Sequence, residues 1–282
     1  MKIALTGSSG FIGTYFMKHN TSYEISTFSF QYDDIDSFDF SDFDTVIHLA
    51  ALVHQMNGAD PKKYQEINTT KTLQLAQKAK DAGVQQFIFM STVKVYGEEN
   101  DISYTESTSC HPMDDYGKSK LIAEQELQKL QNEYFTLSII RTPIVYGAGV
   151  QANIKNLITL VKKVPLLPFG DIKNQRSMVY VGNLSALIDT VIEKKANGIF
   201  LASDDKSLST TELILQITSA LKKKVYLIRI PLFEKLLKKI KPSFYQRLYG
   251  NLKVDNSWTK QQLSFRNPYT TEEGIELMIQ GQ

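Results

Sequence analysis

Apolar runs of strand length alternate with segments of helical period through the first half of the chain. The strand candidates are residues 2–6, 24–28, 45–50, 86–90 and 136–140, with helices starting between them near Gly10, Pro61 and Asp114. Short, nearly continuous apolar runs between amphipathic helices predict a parallel sheet buried on both faces. Pro61 suits a first helical position and Gly83 the stop of the same helix. Beyond Arg141 the pattern loosens. Residues 150–164 are helical until Pro165 and Pro168 break the period; a strand resumes at 177–181, a helix at 183–194 and a strand at 199–202. Helices then dominate, over 210–222, 231–241, 255–263 and 271–279. The expectation is an α/β fold in two parts. Residues 1–148 with 177–202 form the sheet domain, and 149–176 with 203–282 a smaller, mostly helical one.

Composition narrows the picture little. The 282 residues are 42% hydrophobic and 22% charged, an ordinary globular balance with material for a large core. A net charge of +2 carries no nucleic-acid signal. Cys110 is the one cysteine, so no intrachain disulfide forms, which fits a reducing compartment. Met1-Lys2 leads straight into a short apolar run and glycines, unlike an export signal, and no apolar stretch approaches the ~20 residues of a membrane span. A soluble, cytoplasmic protein is expected.

Chemistry enters at Thr6-Gly7-Ser8-Ser9-Gly10-Phe11-Ile12-Gly13. Alone, such spacing is often a plain βα turn. Here it follows the first strand and opens a helix, the context in which glycines bring backbone to a pyrophosphate and the helix N-terminus stabilises its charge. A dinucleotide site is therefore expected at Gly7, Gly10, Phe11, Ile12 and Gly13. The acidic residue that selects the adenosine ribose hydroxyls normally lies about 20 residues further on; that place is Ser29, with Gln31 nearby and the first acids only at Asp33 and Asp34. A serine does not repel a 2′-phosphate, which favours NADP(H), although no Arg stands by to clamp that group; NAD(H) is the alternative.

A second signal is Tyr116-Gly117-Lys118-Ser119-Lys120. On a helix Tyr116 and Lys120 share a face. An ammonium there is expected to favour the phenolate and prepare Tyr116 for proton transfer. Taken alone, the pair is a surface Tyr and Lys. Ser91-Thr92 closes the 86–90 strand at the carboxyl edge of the sheet, where Thr92 can hold a reacting oxygen, or simply satisfy its own backbone.

These motifs, in this order, resemble the extended short-chain dehydrogenase/reductases and in particular the NAD-dependent epimerase/dehydratase family. The likeness rests on Thr6 to Gly13, Val46-Ile47-His48-Leu49-Ala50-Ala51, Ser91-Thr92-Val93-Lys94-Val95-Tyr96-Gly97, Tyr116 to Lys120, Arg141-Thr142-Pro143-Ile144-Val145-Tyr146-Gly147 and Arg176-Ser177-Met178-Val179-Tyr180-Val181. It implies a Rossmann-type doubly wound sheet with a helical C-terminal substrate domain. It implies Thr92, Tyr116 and Lys120 as catalytic residues, with Lys120 also holding the nicotinamide ribose. Asp39 and Phe40 match the pair at adenine, Leu49, Ala50 and Ala51 would line the dinucleotide, and Asn68 and Pro143 fall at cofactor positions. Asn153 and Arg176 match contacts to the substrate's diphosphate, for which the planar guanidinium fork is well suited. Each also has an ordinary structural reading: a buried strand end for Leu49 to Ala51, a satisfied helix residue for Asn68, a solvated loop cation for Arg176.

The resemblance implies a UDP-sugar substrate and a homodimer built on residues 61–82 and 115–130. Two departures bear on the reaction: Ile144 replaces an Asn near the nicotinamide, and Val53, before His54, stands where some 4-epimerases have Lys. The favoured reading is a 4-keto reductase of a UDP-6-deoxy-HexNAc in surface polysaccharide biosynthesis, with a UDP-glucose or UDP-GlcNAc 4-epimerase and a non-catalytic dinucleotide-binding protein as alternatives. A 4,6-dehydratase is disfavoured, because Val93-Lys94 replaces its acid/base pair. The stretch from Pro231 to Lys241 sets an apolar stripe among lysines; it either packs on the domain or touches a membrane surface. No metal is called for.

Overall fold

The computed structural model describes residues 1–30, 32–53 and 60–282; Gln31 and His54 lie outside the described residues. Six parallel strands form the main sheet: β1 (Lys2–Thr6), β2 (Glu24–Phe28), β3 (Thr45–His48), β4 (Gln86–Thr92), β5 (Thr136–Thr142) and, after other elements, β9 (Gly198–Leu201). Their order is β2-β1-β3-β4-β5-β9, so the chain reverses direction across the sheet between β1 and β3. A crevice opens at the carboxyl ends of strands at such a switch point.

Both faces of the sheet are covered, which is why its strands read as continuous apolar runs. One face packs Ile3, Leu5, Ile88 and Met90 on Phe16 of α1 (Phe11–His19) and on Leu184, Leu187, Ile188 and Val191 of α6 (Val181–Glu193). The other packs Ala4, Val46, Phe87 and Phe89 on Leu75 and Ala76 of α3 (Lys71–Asp81) and on Ala123 and Leu127 of α4 (Asp115–Leu130). Alternate residues of β4 thus enter opposite layers.

The helix expected over 61–82 is interrupted. α2 (Pro61–Gln65), capped by the Asp60 carboxylate, runs into a π turn at Glu66–Thr70 before α3 begins. The extra residue of the wider turn carries the buried Asn68 and Thr69 toward α4 and the end of β3, a departure typical of functional regions. β3 ends at His48 rather than Ala50, because the chain leaves the ladder to pass the glycine turn.

The strand expected at 177–181 does not enter the main sheet. β8 (Met178–Tyr180) pairs with the unforeseen β6 (Ile144–Tyr146) as a two-stranded parallel sheet, and Val181 already begins α6. A third cluster gathers around this ribbon, from α5 (Ala152–Lys163), α7 (Thr210–Ala220) and α11 (Thr271–Gln280). A second short ribbon pairs β7 (Leu166–Leu167) with β10 (Tyr226–Leu227). Helices α8 (Phe233–Ile240), α9 (Pro242–Tyr249) and α10 (Ser257–Leu263) complete the described elements. Among the described residues no helix is long and apolar enough to cross a membrane.

Candidate active site

Thr6, the last residue of β1, delivers the chain into the glycine turn. Gly7 has φ +72°, and a Cβ there would lie 2.7 Å from the Ala50 nitrogen and 2.8 Å from the Leu49 carbonyl carbon. Only glycine allows the turn and the close pass together. Gly10 N-caps α1 without a side-chain hydrogen bond, and the first turn of α1 carries no acid. Uncapped N–H groups at a helix N-terminus, reached over a turn stripped of side chains, fit a pyrophosphate. Ile12 packs into the core against the first face of the sheet, and the Phe11 ring sits where a Cβ on Gly147 would come within 3.3 Å of it.

The wall opposite the glycine turn is the segment 49–53. Ala50 N–H donates to the Thr6 hydroxyl at 3.2 Å. Asn68 accepts from Leu52 N–H at 2.8 Å and donates to Leu52 C=O at 3.0 Å and to the Ser119 hydroxyl at 3.1 Å. Asn68 thereby locks this wall to α4. Thr69 adds a hydrogen bond to Ser119 C=O at 2.9 Å.

β2 ends beneath the adenosine end of such a site. Ser29 N–H donates to the Asp33 carboxylate at 2.7 Å, and Asp33 N–H to Ser29 C=O at 2.8 Å. A turn therefore brings a carboxylate back to the strand end that reads as serine in the sequence. Asp39 accepts from Ser41 N–H at 2.9 Å, and hydrogen bonding from Ser41 holds its carboxyl below the usual range. The Phe40 ring is buried among Phe28, Phe38 and Phe43.

Thr92 ends β4, its hydroxyl oxygen accepting from Lys94 N–H at 3.3 Å. α4 starts beside it. Asp114 caps α4 through Gly117 N–H at 2.7 Å and pairs with Lys94 at 2.6 Å; Lys94 also pairs with Glu98 at 2.7 Å. Gly117 permits this approach, since a Cβ there would lie 2.9 Å from Lys94 C=O. One residue earlier, the Tyr116 ring lies 6.3 Å from that of Tyr64, whose hydroxyl donates to Val53 C=O at 3.4 Å. Tyr116 thus faces the same wall that abuts Gly7.

Lys120, one helical turn on, is fully buried with its ammonium 3.8 Å from the centroid of the Phe89 ring. The His48 ring also stacks with Phe89, at 5.9 Å between centroids, and bonds Thr6 Oγ1 through Nδ1 at 2.7 Å and Thr72 Oγ1 through Nε2 at 2.9 Å. Burial, with the charge of Lys120, holds His48 well below the ordinary imidazole value, so it is neutral at pH 7. Lys120 itself is pulled down to about 7 by burial, against the opposing charge of Glu124.

The expected acidification of Tyr116 by Lys120 is not what this arrangement produces. Burial, then the negative charge of Asp114 and the neighbouring Tyr64, raises the Tyr116 phenol above its ordinary value. The Lys120 ammonium rests on Phe89, and the charge that acts on Tyr116 is the anion of Asp114.

Val93 is buried in an apolar cluster with Val95 and Tyr96, so no acid follows Thr92. Arg176 sits where backbone bridges join it to Leu208 and Leu252, and donates to Gly250 C=O at 3.1 Å. Burial lowers its pKa, and the negative charges of Glu98 and Glu99, on the chain leaving β4, oppose that shift. Asn153 is exposed at the start of α5 and accepts from Arg247 of α9 at 3.4 Å. Pro143 makes the bend between β5 and β6.

Sequence reasoning missed two groups here. Glu124 lies one turn beyond Lys120 and was visible as an i, i+4 partner; Arg247 had no local signal, since a tertiary contact with Asn153 brings it in. Asp33 stood in view as the first acid after Ser29, and only the local hydrogen bond to Ser29 N–H gives it a bearing on the strand end.

The sheet with its switch point, the glycine turn at that point, and a Tyr and Lys on the adjoining helix define an extended short-chain dehydrogenase/reductase. Residues 3–201 match the model of the NAD dependent epimerase/dehydratase family, and the chain belongs to that family as a nucleotide-sugar enzyme. It is 38% identical over 311 aligned residues to a UDP-glucose 4-epimerase of Vibrio cholerae, covering 99% of this chain and 94% of that one. Among solved structures it resembles UDP-glucuronic acid 4-epimerase of Bacillus cereus in complex with NAD, at TM-score 0.79 and 22% identity, over 100% of this chain and 98% of that one. It also resembles dTDP-4-dehydrorhamnose reductase of Bacillus anthracis in complex with NADP, at TM-score 0.80 and 22% identity, over 100% and 99%. At that identity the structural likeness speaks for the fold.

Proposed function

We propose that the chain is a UDP-hexose 4-epimerase using NAD. The observation that carries this reading is the 38% identity to a UDP-glucose 4-epimerase along nearly the full length of both chains. The residues suit the group such an enzyme needs. Gly7, Gly10 and Gly13 would hold the pyrophosphate, Leu49 to Ala51 the wall beside it, and Lys120 the nicotinamide ribose. NAD is preferred over NADP because the Asp33 carboxylate at Ser29 N–H would repel a 2′-phosphate. The bound nicotinamide supplies the hydride acceptor and donor at the sugar carbon.

The chain's own residues handle the proton and the orientation. Tyr116 is the group we assign to exchange the proton of the sugar O4: its raised phenol would have to ionise first, which the positive charge of a bound NAD+ would favour, and Thr92 would hold that oxygen in line. Arg176 and Arg247 clasp the diphosphate, leaving the sugar free to turn and present its other face. A 4-keto reductase is the second reading, favoured by Ile144 where the family resemblance implies an Asn near the nicotinamide and by Val53 where some 4-epimerases have Lys.

Two measurements on the purified protein test this. The dinucleotide released on denaturation is expected to be NAD. UDP-glucose or UDP-GlcNAc is expected to convert to its galacto epimer without added reductant, and Tyr116→Phe to lower kcat about 10²- to 10⁴-fold. Consumption of NADPH with a UDP-4-keto-6-deoxy-HexNAc, and no interconversion of gluco and galacto forms, would select the reductase.

A further inference from the structure

Helix α8 keeps an apolar face that the fold does not cover. Its apolar residues occupy one arc of the helix. On the inner half Phe233 and Leu237 are half-buried, with the Phe233 ring 6.4 Å from that of Phe169. On the outer half Leu232, Leu236 and Ile240 repeat at i, i+4 and i+8 and are 71%, 56% and 63% exposed. Ile230 and Phe244 extend the patch on either side, both exposed. Single exposed apolar residues are ordinary, whereas a row of three at helical spacing, with two more exposed apolar residues in the flanking segments, marks a contact surface.

The charge around the row says what it contacts. Between Arg229 and Arg247 the sequence holds six cations (Arg229, Lys235, Lys238, Lys239, Lys241 and Arg247) and one carboxylate, Glu234. The whole chain is only +2, so this short stretch carries the positive charge and the remainder is net negative. Lys235 and Lys239 each precede a residue of the exposed row and border it on its polar side. Among the described residues none of Lys235, Lys238, Lys239 and Lys241 enters an ion pair; Lys238 rests over the Tyr245 ring at 5.4 Å.

From this we infer that the α8–α9 edge docks on the surface of an anionic lipid bilayer, α8 lying in the interface. Leu232, Leu236 and Ile240 enter the acyl boundary and the lysines meet the headgroups, the pattern by which amphipathic helices bind membranes without crossing them. A second copy of the chain is the poorer occupant, because a twofold contact would set this cationic stretch against itself. Gly250, which ends α9, gives its carbonyl to Asn174 and Arg176. Docking therefore places the candidate substrate arginine close to the bilayer surface. The inference stands apart from the reaction proposed above.

Flotation of the full-length protein with vesicles tests it. The protein is expected to float with phosphatidylcholine vesicles containing phosphatidylglycerol, to stay unbound with phosphatidylcholine alone, and to be released by salt. The doubly substituted Lys235→Gln/Lys239→Gln should bind roughly 30-fold more weakly, at about one kcal/mol for each lysine. Leu236→Gln/Ile240→Gln should lose binding while circular dichroism and activity on a soluble substrate stay unchanged. Wild-type protein that ignores anionic vesicles overturns the inference. So does a Leu236→Gln/Ile240→Gln protein whose mass by light scattering falls from dimer to monomer, since the face would then belong to a second copy.

Discussion

Lys120, which the proposed reaction places at the nicotinamide ribose, has the least hospitable surroundings a lysine can have: complete burial on α4, against the face of Phe89. Its pKa falls from the ordinary 10.5 to about 7. Between those values the unfolded chain holds a proton that the folded protein has released, so folding stability rises with pH across the window. Below it both states are charged and the folded protein bears the full cost of a buried cation. Lys120→Met, an apolar side chain of similar length, is therefore expected to raise stability by a few kcal/mol near about pH 6. The gain should shrink toward zero near about pH 10, as followed by urea denaturation. A gain equal at both pH values would show that Lys120 is not buried as a cation. At this scale the sequence offers candidate groups for chemistry but not what surrounds them. Tyr116, Lys120 and Thr92 could be read from spacing, whereas the downward shift of Lys120 and the upward shift of Tyr116 depend on Phe89, Asp114 and Tyr64, drawn from separate elements. The Asp33 carboxylate was in plain view, and only its turn back to Ser29 N–H gives it a bearing on the cofactor.

α4 is held to β4 and β5 by polar groups as well as by its apolar face. Glu124 accepts from the buried Ser91 hydroxyl and from Arg141 Nε at 3.1 Å, while the Arg141 guanidinium lies 4.6 Å from the Tyr96 ring centroid. Both ionic side chains are nearly inaccessible, and Ser91 directly precedes Thr92. Removing one partner leaves an uncompensated buried charge, so Arg141→Met is expected to cost about 3–5 kcal/mol. Arg141→Met/Glu124→Leu should recover most of that stability, yet leave kcat low because Ser91 has lost its acceptor and Thr92 its anchorage. Denaturation midpoints and turnover measured on both proteins separate the two effects; full recovery of kcat in the double substitution would refute the anchoring role. Elements of this length were accessible from pattern: β1 and β2 fall at their expected limits. β6, β7 and β10, with two or three residues each, are too short to carry a period. α9 follows Pro242 after a single residue outside α8, so the two helices merge in the hydrophobic pattern with only a proline to part them.

The molecule as a whole divides its core among the two faces of the sheet, the cluster around β6 and β8, and a smaller one around Val93, Val95 and Tyr96. The glycine turn belongs to the sheet. Arg176 and Arg247 lie on the other side, Arg176 tied by backbone bridges to Leu208 and Leu252 and Arg247 joined to Asn153. In the function proposed above, a dinucleotide would rest mainly on the sheet, while a nucleotide sugar would depend on the two arginines. Saturating either ligand at about 100 times its Kd adds about 2.7 kcal/mol to folding stability, which for a chain of this size raises Tm by roughly 5 °C. Arg176→Ala/Arg247→Ala is expected to abolish the increment from UDP and keep that from NAD, because α1 and the wall at 49–53 are untouched. Differential scanning calorimetry with each ligand reads the two increments directly. If the substituted protein still responds to UDP, the diphosphate is held elsewhere; if it loses the response to NAD as well, the two sides of the cleft do not bind their ligands independently.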